Sequence, residues 1–290
     1  MLCGYYSAGT ESGLRPVTTI RPQGKAMSQQ TMPLAGKVRE VVEVAPETPF
    51  VLQAEKIYAS VEAISQEADL LRTEIIAVGR KLWERSYVDG NGGNISVRVG
   101  ADAVLCTPTL ISKRHIQPSD VCLCDLEGNM LAGSGPRTSE LLLHLEIYKA
   151  NARARAVVHC HPPHATAFAI TGSAPPIGLI PEYEIFIGPA AVAPYETPGT
   201  QAFAETVLPF IQDHNTILLS NHGIVCWADT VTHAEWLVEI LENYCKTYLI
   251  AQQIGKPLTF LPAEKIEEIL ALKRRMGLPD ARMRQLEPQG

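Results

Sequence analysis

The chain has 290 residues, 46% hydrophobic and 19% charged, enough apolar material for a substantial core in one large or two ordinary α/β domains. A formal net charge of -6 without any basic cluster excludes a general nucleic-acid surface, and no run of about 18 uninterrupted apolar residues exists to cross a bilayer. The start lacks the basic-then-apolar order of an export signal, so the cytoplasm is the expected compartment, where the seven scattered cysteines stay reduced as small core residues.

Residues 1–66 read as an N-terminal extension. Up to Met32 they are rich in Gly, Ser, Thr, Gln and Pro without apolar periodicity, the composition of a disordered tail. Leu34, Val38, Val41 and Val42 then hint at a short amphipathic segment, and Ala54 to Ile64 at a helix. Such a segment suits a docking or targeting role. The main domain spans 67–290. Leu70, Leu71, Ile75, Val78 and Leu82 recur at helical spacing, and Asp89-Gly90-Asn91-Gly92-Gly93-Asn94 must end that helix in a turn. Ile95 to Val99 and Ala103 to Cys106 form a predicted hairpin. Val121 to Asp125 is a further strand before the turn Glu127-Gly128-Asn129, and alternation places Cys122 and Cys124 on one face of it. A helix from Glu140 to Ala150, a strand from Ala156 to His161 and a helix from His164 to Ile170 follow. Thr216 to Ser220 is another strand, and a long helix capped by Asp229 or Thr230 closes at Gly255 and Pro257. Strands in a meander with later interspersed helices give the expected fold class: α/β, three-layer α/β/α with a mostly antiparallel central sheet.

The chemistry concentrates in His159-Cys160-His161. On a strand, residues i and i+2 share a face, so one ion can touch both imidazoles, while Cys160 points away. His-x-His alone is common in ordinary strands; its company singles it out. His222 follows the apolar run Thr216 to Ser220 and precedes Gly223, which suits a sharp turn, so the ends of two buried strands converge. Three imidazoles with one exchangeable position form the ligand pattern of a catalytic zinc site, since structural sites close with four fixed ligands. Upstream, Thr138 or Ser139 can cap a helix with Glu140 in its first turn. There Glu140 either complements the helix dipole or serves as a fourth ligand or general base.

In order along the chain, Gly93-Asn94-Ile95-Ser96, Thr107-Pro108-Thr109, Thr138-Ser139-Glu140, His159-Cys160-His161 and Ser220-Asn221-His222-Gly223 resemble the class II aldolase/adducin family over about Leu70 to Leu278. The resemblance implies one Zn2+ per subunit on His159, His161 and His222, with Glu140 as a ligand that swings away to act as base. It implies cleavage of a deoxyketose 1-phosphate, L-fuculose 1-phosphate or L-rhamnulose 1-phosphate, to dihydroxyacetone phosphate and lactaldehyde through an enediolate stabilised by a Lewis acid. Phosphate binding maps onto Asn91, Gly93, Asn94, Thr109, Thr138 and Ser139, where backbone N–H groups at a turn and a helix start form an anion nest. Tyr183, in Pro181-Glu182-Tyr183-Glu184, maps near an active-site tyrosine of the family and is expected to protonate the leaving aldehyde oxyanion.

The same resemblance implies a homotetramer with active sites between subunits; it leaves the N-terminal extension unexplained, and there Leu34 to Val44 suits a targeting tail for a bacterial microcompartment shell. Two departures stand out. Leu110 follows Thr-Pro-Thr where the family often has glycine and is expected to reshape the phosphate end, and the tail Lys273-Arg274-Arg275-Met276-Gly277-Leu278 lacks the tyrosine that the aldolases lend to a neighbouring subunit. Related activities on the fold are 4-epimerases, dehydratases and decarboxylases, and adducin-like scaffolds keep it without chemistry. Epimerase-like members tend to carry Asp in place of Glu140, whereas His115 to Asp120 resembles the dehydratases.

Overall fold

The structure is a computed structural model that describes residues 50–284, with side chains described over 65–283. The expected amphipathic segment at Leu34 to Val44 lies outside the described residues. The first helix, α1, runs unbroken over Phe50–Glu84, so the two helical stretches read on either side of residue 66 are one element. Ile75, Val78 and Leu82 are buried and Leu71 packs beside them, a single stripe at spacings of four and three. Leu70 falls off that stripe and is 69% exposed, which corrects its expected core position.

Eight strands follow: β1 (Asn94–Val99), β2 (Ala103–Cys106), β3 (Cys122–Asp125), β4 (Met130–Ala132), β5 (Ala156–Cys160), β6 (Ala191–Ala193), β7 (Thr216–Leu219) and β8 (Gly223–Ala228). They make one sheet in the order β4-β3-β2-β1-β5-β8-β7-β6, antiparallel throughout except for the parallel β6–β7 edge. Between them lie α2 (Leu141–Ala150), α3 (Pro163–Thr171), α4 (Pro181–Phe186) and α5 (Gln201–Glu205). After β8 come α6 (Val231–Gln253), α7 (Ala263–Arg275) and α8 (Ala281–Arg284).

Alternation along the central strands builds two cores. Val158, Cys160, Ile224 and Cys226 face α1, α3, α4 and α6, whereas Val157, Val225 and Trp227 face α2 and α5. This is the expected three-layer arrangement. The predicted hairpin is present with Ser96 opposite Cys106 and Val99 opposite Ala103. Thr230, one of the two predicted caps, accepts the His233 N–H at 3.1 Å, and Gly255 (φ 70°) follows the end of α6. All six described cysteines are buried and unbridged.

The tail is pinned by charge. Lys273, fully buried, donates to Asp280 at 2.8 Å and to the Ile187 carbonyl at 2.7 Å, while Arg282 pairs with both Asp280 and Glu184 at 2.8 Å. This network ties α7 and the segment after it to α4. Burial raises the Asp280 carboxyl, but hydrogen bonds from Arg282 and the Lys273 ammonium outweigh it and leave the group below its ordinary value. A depressed carboxylate contributes stability that is present above its unfolded pKa and lost as pH falls through the folded one. Removing one partner strands a buried charge, so Asp280→Asn is expected to cost about 3–5 kcal/mol in urea unfolding. Part of that gap should close at acid pH, where the wild type also loses the pair.

Candidate active site

His159 enters through β5, opposite Val225 of β8. Its Nδ1–H donates to the Ile224 carbonyl at 2.8 Å, which fixes the tautomer and turns the Nε2 lone pair toward the site. That Nε2 lies 3.1 Å from Nε2 of His161 and 3.2 Å from Oε2 of Glu140. His222 closes the group: its Nε2 is 3.5 Å from Oε1 of Glu140, and ring centroids of the three histidines lie 4.7 to 5.1 Å apart. It stands on the tight turn between β7 and β8, held by Asn221 in the left-handed region (φ 56°) and by the closeness of Gly223. A Cβ at Gly223 would lie 2.6 Å from the His161 ring, so no larger residue fits. Sequence reading placed His222 after one strand; β8, which it missed, is what lays this turn beside the end of β5.

Burial, then the neighbouring His161 and His222, hold His159 well below the ordinary imidazole range. His222 is likewise lowered, by burial foremost, with Glu140 opposing. Lone pairs facing one another at this distance repel unless something positive lies between them. A tetrahedral centre with ligands at about 2.0–2.1 Å places its donors about 3.3 Å apart, close to the observed spacings. The donor set therefore fits a divalent cation held by His159, His161 and His222, with Glu140 beside it.

Glu140 is the N-cap residue of α2 (φ -98°, ψ 16°), one position before its first turn, and the Thr138 hydroxyl accepts the Glu140 N–H at 3.4 Å. Its carboxylate is oriented by a buried relay. Asn94 Nδ2 donates to Glu140 Oε2 at 2.7 Å, so Asn94 Oδ1 accepts from His144 Nε2 at 2.6 Å, and His144 Nδ1 accepts from Ser96 Oγ at 2.7 Å. Every donor in this chain points toward the carboxylate.

The expected phosphate residues Asn91, Gly93, Asn94, Thr109, Thr138 and Ser139 all line one cavity of about 150 Å³ that also touches Glu140 and His161. Two loops wall it. Thr109 N–H bonds to the Pro136 carbonyl at 3.0 Å and Thr138 N–H to the Thr107 carbonyl at 3.1 Å, bringing the Thr-Pro-Thr turn against Thr138. Gly93, at φ 67°, runs so close to the His159 carbonyl that a Cβ would lie 2.8 Å from it. Asn94 lines the cavity and its amide also bonds Glu140 and His144. Leu110 adopts φ 60°, a conformation glycine favours, and its side chain is 77% exposed and does not line the cavity. A larger hollow of about 680 Å³ lies at the other end of β8, among Trp227, Trp236 and Met276, away from the histidine trio.

Tyr183 is not brought to this site. It packs with the core on the opposite face of the sheet from Val157, is 1% exposed and stacks on Tyr244 with ring centroids 3.8 Å apart. Register explains the correction: α4 covers the α6 side, whereas α2 carries Glu140 on the other. Lys113, which sequence reading passed over, is buried beneath the cavity with its Nζ 3.0 Å from the Asn91 carbonyl. Its apolar neighbour Ile111 gave no periodic sign of such burial.

The profile of the Class II Aldolase and Adducin N-terminal domain matches residues 73–249. The L-fuculose phosphate aldolase of Methanococcus maripaludis is 36% identical over 182 residues, 63% of this chain and 98% of that protein. The 3-oxo-tetronate 4-phosphate decarboxylase of Haemophilus influenzae is 32% identical over 206 residues, 69% of this chain and 97% of its own length. A solved L-fuculose 1-phosphate aldolase superposes with a TM-score of 0.65 at 29% identity, covering 72% of this chain and 96% of that one.

Removing His159 should abolish tight metal uptake, with calorimetric zinc affinity of His159→Ala at least about 10-fold below wild type; unchanged affinity would remove it from the ligand set. A second expectation concerns acid. Burial lowers His144 to about 3, against an ordinary value near 6.5. The unfolded chain therefore binds the extra proton, and the contribution present above about pH 6.5 is lost as pH falls toward 3. The urea midpoint of metal-free protein should fall from pH 7 to 5, and less steeply in His144→Gln; identical slopes would contradict this. Geometry and comparisons agree on the outcome: the chain belongs to the class II aldolase and adducin family.

Proposed function

We propose that the chain is a zinc-dependent aldolase that splits a deoxyketose 1-phosphate, L-fuculose 1-phosphate or L-rhamnulose 1-phosphate, into dihydroxyacetone phosphate and lactaldehyde. One observation carries this reading: the anion-sized cavity opens onto Glu140 and His161, so a phosphate and a metal-facing carbonyl fit within one small sugar. A divalent cation on the three imidazoles supplies Lewis acidity for the charge that develops on the ketose oxygens. Backbone N–H groups of the glycine loop and the hydroxyls of Thr109, Thr138 and Ser139 hold the phosphate end. Breaking the carbon–carbon bond leaves an enediolate, and Glu140, oriented by Asn94, delivers a proton to its hydroxyl-bearing carbon.

A second reading rests on the decarboxylase relative. Loss of carbon dioxide from a 3-oxo acid 4-phosphate also leaves an enediolate, so the same groups serve. In the aldolase reading the enzyme is cytoplasmic and a homotetramer, with a group of a neighbouring subunit accepting the proton of the hydroxyl that becomes the aldehyde carbonyl, which offsets the proton Glu140 delivers. Residues 1–66 precede the catalytic domain of 67–290 as a docking or targeting extension, with a microcompartment shell as one destination.

Zinc-loaded protein incubated with L-fuculose 1-phosphate, L-rhamnulose 1-phosphate and 3-oxo-tetronate 4-phosphate separates the readings. Lactaldehyde from a ketose phosphate supports aldolysis; carbon dioxide from the oxo acid alone replaces it with decarboxylation. Glu140→Gln should lower turnover by about 10²–10⁴-fold with zinc retained. Wild-type turnover in that variant would remove Glu140 from proton transfer.

A further inference from the structure

The charged side chain buried deepest beneath the cavity has no assigned role. Lys113 is 1% exposed, and its ammonium is held by two carbonyls, Asn91 at 3.0 Å and Ile111 at 3.4 Å. Among the described residues it has no carboxylate at ion-pair distance; Glu140 reaches it only through space. Burial lowers the ammonium to about 8, with Glu140 opposing. A buried charge without a counter-charge is costly, and an anion in the adjacent cavity would supply one.

The position of the two carbonyls says which ligand. Asn91 belongs to the glycine loop on one wall of the cavity, and Ile111 follows Thr109, which stands on the other. One ammonium therefore fastens both walls from behind, with the loop backbone between it and the cavity. We propose that Lys113 is a positioning residue for anion binding: it clamps the two loops and supplies the positive charge that a phosphate dianion in the cavity completes. The role rests on the phosphate subsite of the proposed function but not on the bond that is cleaved. It also accounts for an anion site whose lining contains no lysine or arginine.

The test titrates inorganic phosphate into zinc-loaded full-length protein by calorimetry. Lys113→Gln keeps an N–H donor for the clamp and drops the charge; Lys113→Met fills similar space with apolar atoms and guards against a misfolded first variant. Phosphate affinity should fall about 10-fold or more in both, with zinc stoichiometry intact. In turnover of the ketose phosphate, KM should rise while kcat changes little. A purely structural lysine would lower the melting temperature and leave the affinity of the folded variants within twofold of wild type, which overturns the proposal, as does a wild type that binds no phosphate. Wild-type phosphate binding that weakens in the variants, without aldol cleavage of any ketose phosphate, sustains the lysine's role and rejects the aldolase reading instead.

Discussion

The convergence of four metal-competent side chains governs this site. Three imidazoles and a carboxylate face one another across about a hydrogen-bond length, with His159 buried and its other nitrogen tied to Ile224. Among the described residues no lysine or arginine lies at ion-pair distance from Glu140. A metal cation supplies the opposite charge, and the fold spends considerable precision on holding the donors ready: β5 and β8 paired in register, a left-handed Asn221, and a glycine at 223 where any side chain would strike His161. The neutral state of His159 follows from the same burial, and only neutral imidazole is a ligand.

The carboxylate shows how the interior is organised around that centre. Glu140 lies at the start of a helix whose residue His144, one turn later, reaches back through Asn94 to fix it. Ser96 completes the relay from β1, the strand that also begins at Asn94. Glu140, Asn94, His144 and Ser96 are thus parts of one hydrogen-bonded unit. The phosphate end is joined to it through Asn94 and fastened from below by Lys113.

Much of this was legible in the sequence for physical reasons. His159 and His161 share a face because a strand alternates, and the long helices showed their stripes. The five short motifs carried the family. What escaped was whatever depends on tertiary contact. Strand β4 is wholly exposed, and β6 is only three residues long. Tyr183 is singled out by resemblance alone, and in the fold Glu184 is buried with Arg282 and Tyr183 is enclosed against Tyr244. Asn94 lines the cavity as expected, but the bonds of its amide to Glu140 and His144, 46 and 50 residues away, carry no local signal. Lys113 carried no periodic signal, since a buried lysine is recognised only by the carbonyls that hold it.

The central claim is that these histidines and Glu140 surround one divalent ion. X-ray absorption at the zinc edge of the loaded protein tests it most directly. The account predicts a shell of nitrogen and oxygen scatterers at about 2.0–2.1 Å with the outer-shell pattern of imidazole. A sulfur shell at about 2.3 Å would place the metal on the cysteines and contradict the site.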